Sequence, residues 1–257
     1  MKISICLSSI DPSLGKVDKA SLCQQTLMEL LIAGLLNPSS VTQAADDEMP
    51  DMAQWQGLQF NAGNEVTEIQ WISLGEPLIH GSLDIQWLPS TVHNLRLFGN
   101  NLSGSFEFSA LADTVLRIEL GVNSFGGTIP FEHLPKALVY LDVTENAYEG
   151  TMALECLPAG MEQLYGYDNA FSGTLFLTRL PATIEIISLG SNKLSRSIDL
   201  TRLPNSLEQL FLSNNALSGQ VCLGNLPPNL KMLELENNYF ENVDKDKINV
   251  RGLIVQV

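Results

Sequence analysis

A repeat of 23 residues runs through most of this 257-residue chain and constrains its fold more than any other feature. Leucines recur at that spacing without a slip, at Leu88, Leu111, Leu134, Leu157, Leu180, Leu203 and Leu226. Asparagines recur in the same way, at Asn100, Asn123, Asn146, Asn169, Asn192, Asn215 and Asn238. A fixed period of this length predicts a stacked array, in which each unit buries its apolar face against the next. The sequence therefore favours an extended binding surface over an enclosed catalytic pocket.

The pattern inside one unit predicts its local structure. Leu95 and Leu97 alternate with polar residues, which indicates a short half-buried strand. Asn100 follows where the chain turns, and its amide can both donate and accept, so stacked copies predict a structural ladder along the turn. Phe106 and Phe108 also alternate with polar residues and indicate a short second strand. Leu-Pro pairs close several units, and proline disfavours a long helix on the convex side.

Three regions are expected along the chain. Residues 1–68 form an N-terminal helical cap and lead-in, 69–242 hold about eight repeats, and 243–257 form a C-terminal closing segment. Within the first region, the spacing of leucines predicts a helix from Lys16 to Leu36, which Asn37-Pro38 ends. We expect this helix to cap the first repeat, since a bare solenoid end exposes its core. An amphipathic helix that binds a partner is the alternative.

Short motifs in the repeats carry a family resemblance. The segments are Asn100-Asn101-Leu102-Ser103-Gly104, Asn169-Ala170-Phe171-Ser172-Gly173 and Asn215-Ala216-Leu217-Ser218-Gly219. They resemble the leucine-rich repeat, L-x-x-L-x-L-x-x-N-x-L, and its plant-type class with N-x-L-S-G. The 23-residue unit ending in Leu-Pro is also similar to repeats of kinetoplastid and other protist proteins. The resemblance implies a right-handed α/β solenoid, the leucine-rich repeat horseshoe, with a parallel concave sheet and short second strands and turns on the convex side.

Some positions depart from the family pattern. Pro77 stands where the first ladder asparagine is expected, Gly166 replaces an inward leucine, and Arg196 replaces a turn glycine. The N-terminal region also lacks the paired cysteines that flank segments similar to the one around Trp55 in secreted plant-type members. That difference weakens the interpretation as an extracellular receptor.

Cysteine usage bears on where the protein resides. Cys156 and Cys222 fall at different repeat positions three units apart, roughly 14 Å at strand spacing, which is too far for a disulfide. Together with Cys6 and Cys23, they predict free thiols in a reducing compartment, and so a cytoplasmic protein. Secretion is the less favoured alternative, since the apolar run near Met1 is short and weak. No apolar run is long enough to predict membrane insertion.

The charge balance narrows the classes of partner. The chain has 14 Lys and Arg against 29 Asp and Glu, a formal net charge of -15. Such a surface repels nucleic acid phosphates and anionic lipid, and it favours a partner with a basic surface. The alternative is that the acidity serves only solubility.

The resemblance implies that the concave sheet is the binding surface, and the columns around L-x-L supply its side chains. The residues expected to bind a partner are Trp71, Arg96, Phe98, Glu119, Tyr140, Asp142, Tyr165, Tyr167, Asp168, Phe211 and Glu234. Aromatic residues exposed on a regular sheet are typical of binding hot spots. The pattern predicts an aromatic centre with an acidic rim, which would bind a protein with apolar and basic residues. The alternative is that the aromatics only stabilise the sheet by cross-strand packing.

No motif indicates catalysis. His80, His93 and His133 fall at three different repeat positions, which argues against a shared metal or a nucleophile–base pair. Glu119 and Asp142 are adjacent in one column and could hold a proton or a cation, but a solvated acidic face is the favoured interpretation. We therefore expect no enzyme activity, no cofactor and no metal, and a monomer when free. A structural subunit of a larger assembly and a secreted or surface recognition protein remain as alternatives to an interaction module.

Overall fold

The short strands of successive repeats stack into two sheets that share one interior. The computed structural model describes residues 18–44, 49–75, 77–221, 225–242 and 254–256. The first sheet has ten strands, and all neighbours in it are parallel except the antiparallel first pair. Its strands are β1 (Leu58–Phe60), β2 (Val66–Gln70), β4 (Asn94–Arg96), β6 (Arg117–Glu119), β8 (Tyr140–Asp142), β10 (Gln163–Tyr165), β12 (Ile186–Ser188), β14 (Gln209–Phe211), β16 (Met232–Glu234) and β18 (Ile254–Gln256).

The second sheet has eight strands, and they are also parallel. They are β3 (His80–Gly81), β5 (Asn101–Ser105), β7 (Ser124–Thr128), β9 (Ala147–Thr151), β11 (Ala170–Gly173), β13 (Lys193–Arg196), β15 (Ala216–Gln220) and β17 (Tyr239–Asn242). The chain alternates between the two sheets once per repeat. The predicted fold class is confirmed: the protein is a parallel-sheet solenoid of about seven turns with few helices.

The hydrophobic core fills the space between the two sheets. Each first-sheet strand from β4 to β16 turns its middle side chain inward, and these residues are fully buried at Leu95, Ile118, Leu141, Leu164, Ile187, Leu210 and Leu233. Each second-sheet strand from β5 to β15 adds one more buried side chain, at Leu102, Phe125, Tyr148, Phe171, Leu194 and Leu217. Since one repeat alone cannot cover these residues, the burial explains why the units stack.

The convex side differs in one detail from the sequence-based expectation. The second strand of the unit occupies Asn101–Ser105, before the phenylalanines that were predicted to form it. Phe106 follows that strand, and Phe108 begins a single 3-10 turn, Phe108–Ala110, with its ring in the core. Equivalent 3-10 turns are Ile85–Trp87, Phe131–His133 and Leu154–Cys156. The convex connections therefore stay short, as the Leu-Pro pairs predict.

The repeated asparagines lie at the turn between the two sheets. The side chain of Asn146 is typical: its Oδ1 accepts the Phe125 N–H at 2.9 Å. Its Nδ2 donates to the carbonyls of Leu120, Val143 and Thr144 at 3.0–3.2 Å. One amide thus satisfies backbone groups of two neighbouring repeats. The same arrangement recurs at Asn100, Asn123, Asn169, Asn192, Asn215 and Asn238.

The N-terminal helix is shorter than predicted. A 3-10 turn covers Lys19–Ser21, α1 covers Gln24–Leu31, α2 covers Ser39–Thr42, and a second 3-10 turn covers Met52–Gln54. The predicted helix of residues 16–36 begins outside the described part of the chain. It ends early because the chain after α1 pairs with the first repeat: the Leu36 N–H donates to the His80 carbonyl.

Helix α1 packs on the solenoid interior. Its Leu27, Met28 and Leu31 are buried, and Met28 and Leu31 belong to the same core as the repeats. A capping role for this segment, and the division of the chain at residues 68 and 242, stay predictions. Among the described residues, no helix is long and apolar enough to span a bilayer.

Arg196 holds a backbone conformation that favours glycine. Its φ is +72°, where most of the other repeats have glycine with φ between +72° and +91°. A side chain in the left-handed region costs about 1 kcal/mol. We expect Arg196→Gly to raise the free energy of unfolding by about 1 kcal/mol in a urea titration. The matched control is Ser195→Gly in the same strand, which should lower stability, because glycine there only adds unfolded-state entropy. Equal decreases in the free energy of unfolding for the two variants would show that the Arg196 backbone is not strained.

Candidate partner-binding surface

The strand register aligns the concave side chains into rows, one residue per repeat. From β4 to β16, the Cα partners form the row Arg96, Glu119, Asp142, Tyr165, Ser188, Phe211 and Glu234. The row before it is Asn94, Arg117, Tyr140, Gln163, Ile186, Gln209 and Met232. Both rows flank the inward leucine positions and so face away from the core. They are the columns that the repeat period predicts for these strands.

The first repeat breaks this register, and the prediction for Trp71 was wrong in its exposure. Gln70 pairs with Arg96, so the first spacing is 26 residues rather than 23. Trp71 consequently takes an inward position and is only 4% exposed. Its indole N–H donates to the Gln56 carbonyl at 2.9 Å. Trp71 is therefore part of the core and does not line the candidate surface.

Two arginines share one glutamate near the centre of the concave sheet. Glu119 was expected to be a solvated acid, but it is 6% exposed. Its Oε1 accepts hydrogen bonds from the Nε atoms of Arg96, at 3.0 Å, and of Arg117. The Arg117 guanidinium also lies 3.5 Å from the centroid of the Tyr140 ring. The sequence-based selection missed Arg117, although its place in the same row as Tyr140 was a usable signal.

Tyr140, Tyr165 and Tyr167 lie beside these arginines. We call these three residues the tyrosine patch. The rings of Tyr140 and Tyr165 are 5.5 Å apart at 42°, and both side chains are half-buried. The Tyr165 hydroxyl donates to Gln163 Oε1 at 3.2 Å. Tyr167 is 40% exposed, and its ring lies beside Gly190, where a Cβ atom would come within 3.3 Å of it. The patch therefore offers ring faces and edges that solvent can reach.

Further predicted residues flank the tyrosine patch. The half-buried ring of Phe98 lies over Gly121, where a Cβ atom would be 2.9 Å from the ring. Phe211 and Glu234 are half-exposed in β14 and β16, towards the C-terminal end of the sheet. Asp168 is exposed at the turn after β10, with φ of +53°. The sheet thus brings together the predicted aromatics other than Trp71 on one face.

Asp142 lies between the arginine pair and the tyrosine patch. It is 9% exposed, and its Oδ1 accepts the Thr144 N–H at 2.9 Å. Burial raises the pKa of this carboxyl, and the negative charge of Glu119 raises it too, whereas Thr144 and Arg117 lower it. Burial also raises the pKa values of the Tyr140 and Tyr165 hydroxyls. These tyrosines are therefore neutral hydrogen-bonding groups at physiological pH.

Asp142→Asn is expected to raise the free energy of unfolding at pH 7. Because the folded pKa of Asp142 lies above the unfolded value, its contribution to stability is complete below the unfolded pKa and is lost as pH rises through the folded pKa. Asparagine keeps the acceptor for Thr144 without the buried charge. The gain should therefore shrink as pH falls from 7 towards about 4, near the unfolded value for aspartate. Urea titrations of both proteins across that range measure it.

The control is Asp199→Asn. Hydrogen bonds from Thr201 lower the pKa of the exposed Asp199 carboxyl. Its contribution to stability has the opposite sign: it is present above the unfolded pKa and is lost as pH falls through the folded pKa. Asp199→Asn should therefore not stabilise the protein at pH 7. A gain from Asp142→Asn that is independent of pH would contradict the assignment.

The described residues offer little for catalysis. Within them, no group of three or more His, Cys, Asp or Glu side chains is placed to hold a metal ion. Glu119, one of the two adjacent carboxylates, is already bound by arginines. The histidines lie apart: His80 contacts Asn101, and His93 contacts the Thr114 carbonyl. What this geometry can do chemically is bind apolar, aromatic and charged groups along an open sheet.

The chain resembles known structures although no protein-family model and no curated protein matches it. It is similar to a chain of the PEPR1–AtPEP1 crystal structure, with 24% identity and a TM-score of 0.63 over 90% of this chain. It is also similar to a plant ice-binding protein, with 20% identity and a TM-score of 0.64 over 84% of this chain and 79% of that one.

A third similar structure is the ectodomain of the Arabidopsis thaliana receptor kinase GASSHO1/SCHENGEN3 in complex with Casparian strip integrity factor 2. The identity is 20% and the TM-score is 0.56 over 91% of this chain. This chain spans only 37% of the matched PEPR1–AtPEP1 chain and 35% of the GASSHO1/SCHENGEN3 ectodomain. The resemblance to protist repeats stays a prediction. At these identities the likeness shows the fold, and the protein therefore has the leucine-rich repeat architecture that its motifs predict.

Proposed function

We propose that this protein is a non-catalytic interaction module that holds a partner protein on its concave sheet. The observation that carries the proposal is the tyrosine patch, two aromatic side chains on the adjacent strands β8 and β10 and a third just after β10, with ring surface open to solvent. Aromatic side chains bury a large area at small entropic cost, which makes them dominant contributors to protein interfaces. Phe98 and Phe211 extend the apolar surface towards both ends of the sheet.

The distribution of charge supports a basic and apolar partner. Strands β8, β10, β12, β14 and β16 contain no lysine or arginine, and the chain as a whole is strongly acidic. Long-range attraction would steer a basic partner towards this face and raise its association rate. Structures of the same fold support a binding role by analogy, since one similar ectodomain is in complex with Casparian strip integrity factor 2.

The proposed location is the cell interior. The thiols of Cys23 and Cys156 are both free and exposed. Exposed thiols persist where glutathione keeps them reduced, and they are disfavoured on secreted proteins. We also propose that the free protein is a monomer, because its net charge of -15 makes two copies repel each other.

The proposal is tested by crosslinking and affinity capture from native extract with a concave variant, Tyr140→Ser/Tyr165→Ser/Tyr167→Ser. A matched control, Phe176→Ser/Tyr239→Ser, removes two exposed aromatics that lie outside the concave sheet, at 56% and 73% exposure. We expect the concave variant to lose the partner that wild type and control retain. Circular dichroism should be the same for all three proteins.

The alternative, a structural subunit of a larger assembly, predicts the reverse. Phe176 and Tyr239 are the observation that favours it, because they are large exposed aromatics away from the concave sheet. A partner retained by the concave variant and lost by the control would place the contact on those surfaces. That result would refute the interaction module proposed here.

A further inference from the structure

A buried carboxylate beside the tyrosine patch lacks a salt bridge within the described part of the chain. Asp142 forms no salt bridge among the described residues, whose ion pairs lie elsewhere. Thr144 hydrogen-bonds it through the backbone N–H, at 2.9 Å, and through its side chain, but neither group carries a positive charge. A buried carboxylate that lacks a counter-charge is costly unless something pairs with it. Glu119 is the Cα partner of Asp142 on β6, and its buried negative charge is balanced by salt bridges to two arginines.

The protein shows in its own structure how a cation binds at this place. The Arg117 guanidinium lies between the Glu119 carboxylate and the face of the Tyr140 ring. A carboxylate beside an aromatic face attracts a cation both by charge and by the ring quadrupole. Asp142 has the same components beside it, since Tyr165 is its Cα partner and Tyr140 precedes it by two residues on the same face. Arg117 acts on Asp142 through its charge but forms no salt bridge with it, and the concave strands β8, β10, β12, β14 and β16 contain no lysine or arginine.

The edges of this part of the sheet are acidic as well. Glu162 and Glu185 immediately precede β10 and β12, and Glu145 and Asp168 follow β8 and β10 by three residues. All four are exposed or half-exposed. Their field would concentrate a positively charged group above the tyrosine patch, whereas it would repel a carboxylate or a phosphate.

We propose that the partner places a lysine or arginine side chain against Asp142, beside the rings of Tyr140 and Tyr165. This ion pair selects a basic partner over a neutral one of the same shape. The inference rests on the proposed function, because it names the group that a partner presents to the concave face. The carboxylate is already removed from most of its water in the free protein, so binding costs little further desolvation of Asp142.

Two short peptides serve as probes. One is acetyl-Leu-Arg-Leu-Arg-Leu-amide, and the other replaces both arginines by citrulline, which keeps the shape and removes the charge. Isothermal titration calorimetry at pH 7 and low salt compares their affinities for the full chain. We expect the arginine peptide to bind wild type at least about tenfold more tightly, the discrimination that a 1.4 kcal/mol difference gives.

The decisive comparison is between two isosteric variants, Asp142→Asn and Glu145→Gln. Each removes one negative charge from the same part of the sheet, but Glu145 is exposed and lies outside the patch. Asp142→Asn should abolish the preference for the arginine peptide, whereas Glu145→Gln should keep it. Because asparagine still accepts the Thr144 N–H, loss of the fold is not expected, and thermal unfolding of the variant checks this.

Several results would overturn the inference. They are equal binding of the two peptides to wild type, equal effects of the two variants, and no binding of the arginine peptide at all. The Tyr140→Ser/Tyr165→Ser/Tyr167→Ser variant separates this failure from failure of the proposed function. If that variant weakens both peptides while Asp142→Asn weakens neither, the concave face still binds partners and only the ion pair is refuted.

Discussion

Asn146→Ala is expected to lower the free energy of unfolding by about 3 kcal/mol, because Oδ1 accepts one hydrogen bond and the two Nδ2 hydrogens are shared among three carbonyls, at about 1 kcal/mol for each of these three groups. The bonds join two repeats: the Phe125 N–H lies in the preceding unit, and the Val143 carbonyl lies in the same unit as Asn146. Their loss leaves backbone groups at the turn without partners, where little water can replace them. Urea unfolding followed by circular dichroism measures the change.

The control for this variant is Asn101→Ala. Asn101 is exposed and hydrogen-bonds the His80 ring rather than the backbone of the turn. Surface substitutions of this kind change stability by about 0.5 kcal/mol or less. A cost for Asn146→Ala as small as that for Asn101→Ala would contradict the structural role of the asparagine ladder.

Phe171→Ala should also destabilise the protein by about 4 kcal/mol, the usual cost of removing a large buried aromatic ring. Phe171 is fully buried, and its ring stacks on Tyr148 with centroids 6.3 Å apart. The ring also fills the space beside Gly166, where a Cβ atom would be 3.3 Å from it. Because Gly166 supplies no side chain, neighbouring residues cannot close the cavity that alanine leaves. Thermal and urea unfolding measure the loss.

Two further variants test whether burial of the ring determines the cost. One removes an exposed ring, and the other removes only the hydroxyl of a buried ring. Phe176→Ala removes a ring that is 56% exposed and should cost well under half as much. Tyr148→Phe removes a hydroxyl that is buried without a hydrogen-bond partner in the described structure. Removing such a group should leave stability unchanged or raise it by about 1 kcal/mol. A large loss from Tyr148→Phe would show that its hydroxyl is satisfied in solution.

The repeat period was sufficient to predict the concave rows, because a solenoid places residues 23 apart on neighbouring strands. The rows containing Tyr140, Asp142 and Tyr165 follow from that rule alone. The 23-residue rule fails for Trp71 because the first unit has 26 residues, and nothing in its composition marks where the extra residues lie. Trp71 consequently falls into the core instead of onto the surface.

The repeat period does not predict which side chains contact one another. The rule places Arg96 and Glu119 on one face, but the arrangement in which Arg96 and Arg117 share one carboxylate depends on rotamers and on Tyr140. Similarly, Gly166 reads as a defect in the sequence, yet in three dimensions it makes room for the ring of Phe171. Compensation of this kind occurs between neighbouring repeats, so the sequence of one unit does not reveal it.

The proposed function requires that a partner protein contacts the tyrosine patch. Photo-crosslinking tests it most directly, with benzoylphenylalanine introduced in place of Tyr165 in one protein and of Phe176 in another. Both proteins are incubated in native extract, but only position 165 lies on the concave sheet. We expect a crosslinked partner from position 165 and none from position 176. Crosslinks from position 176 alone would contradict it.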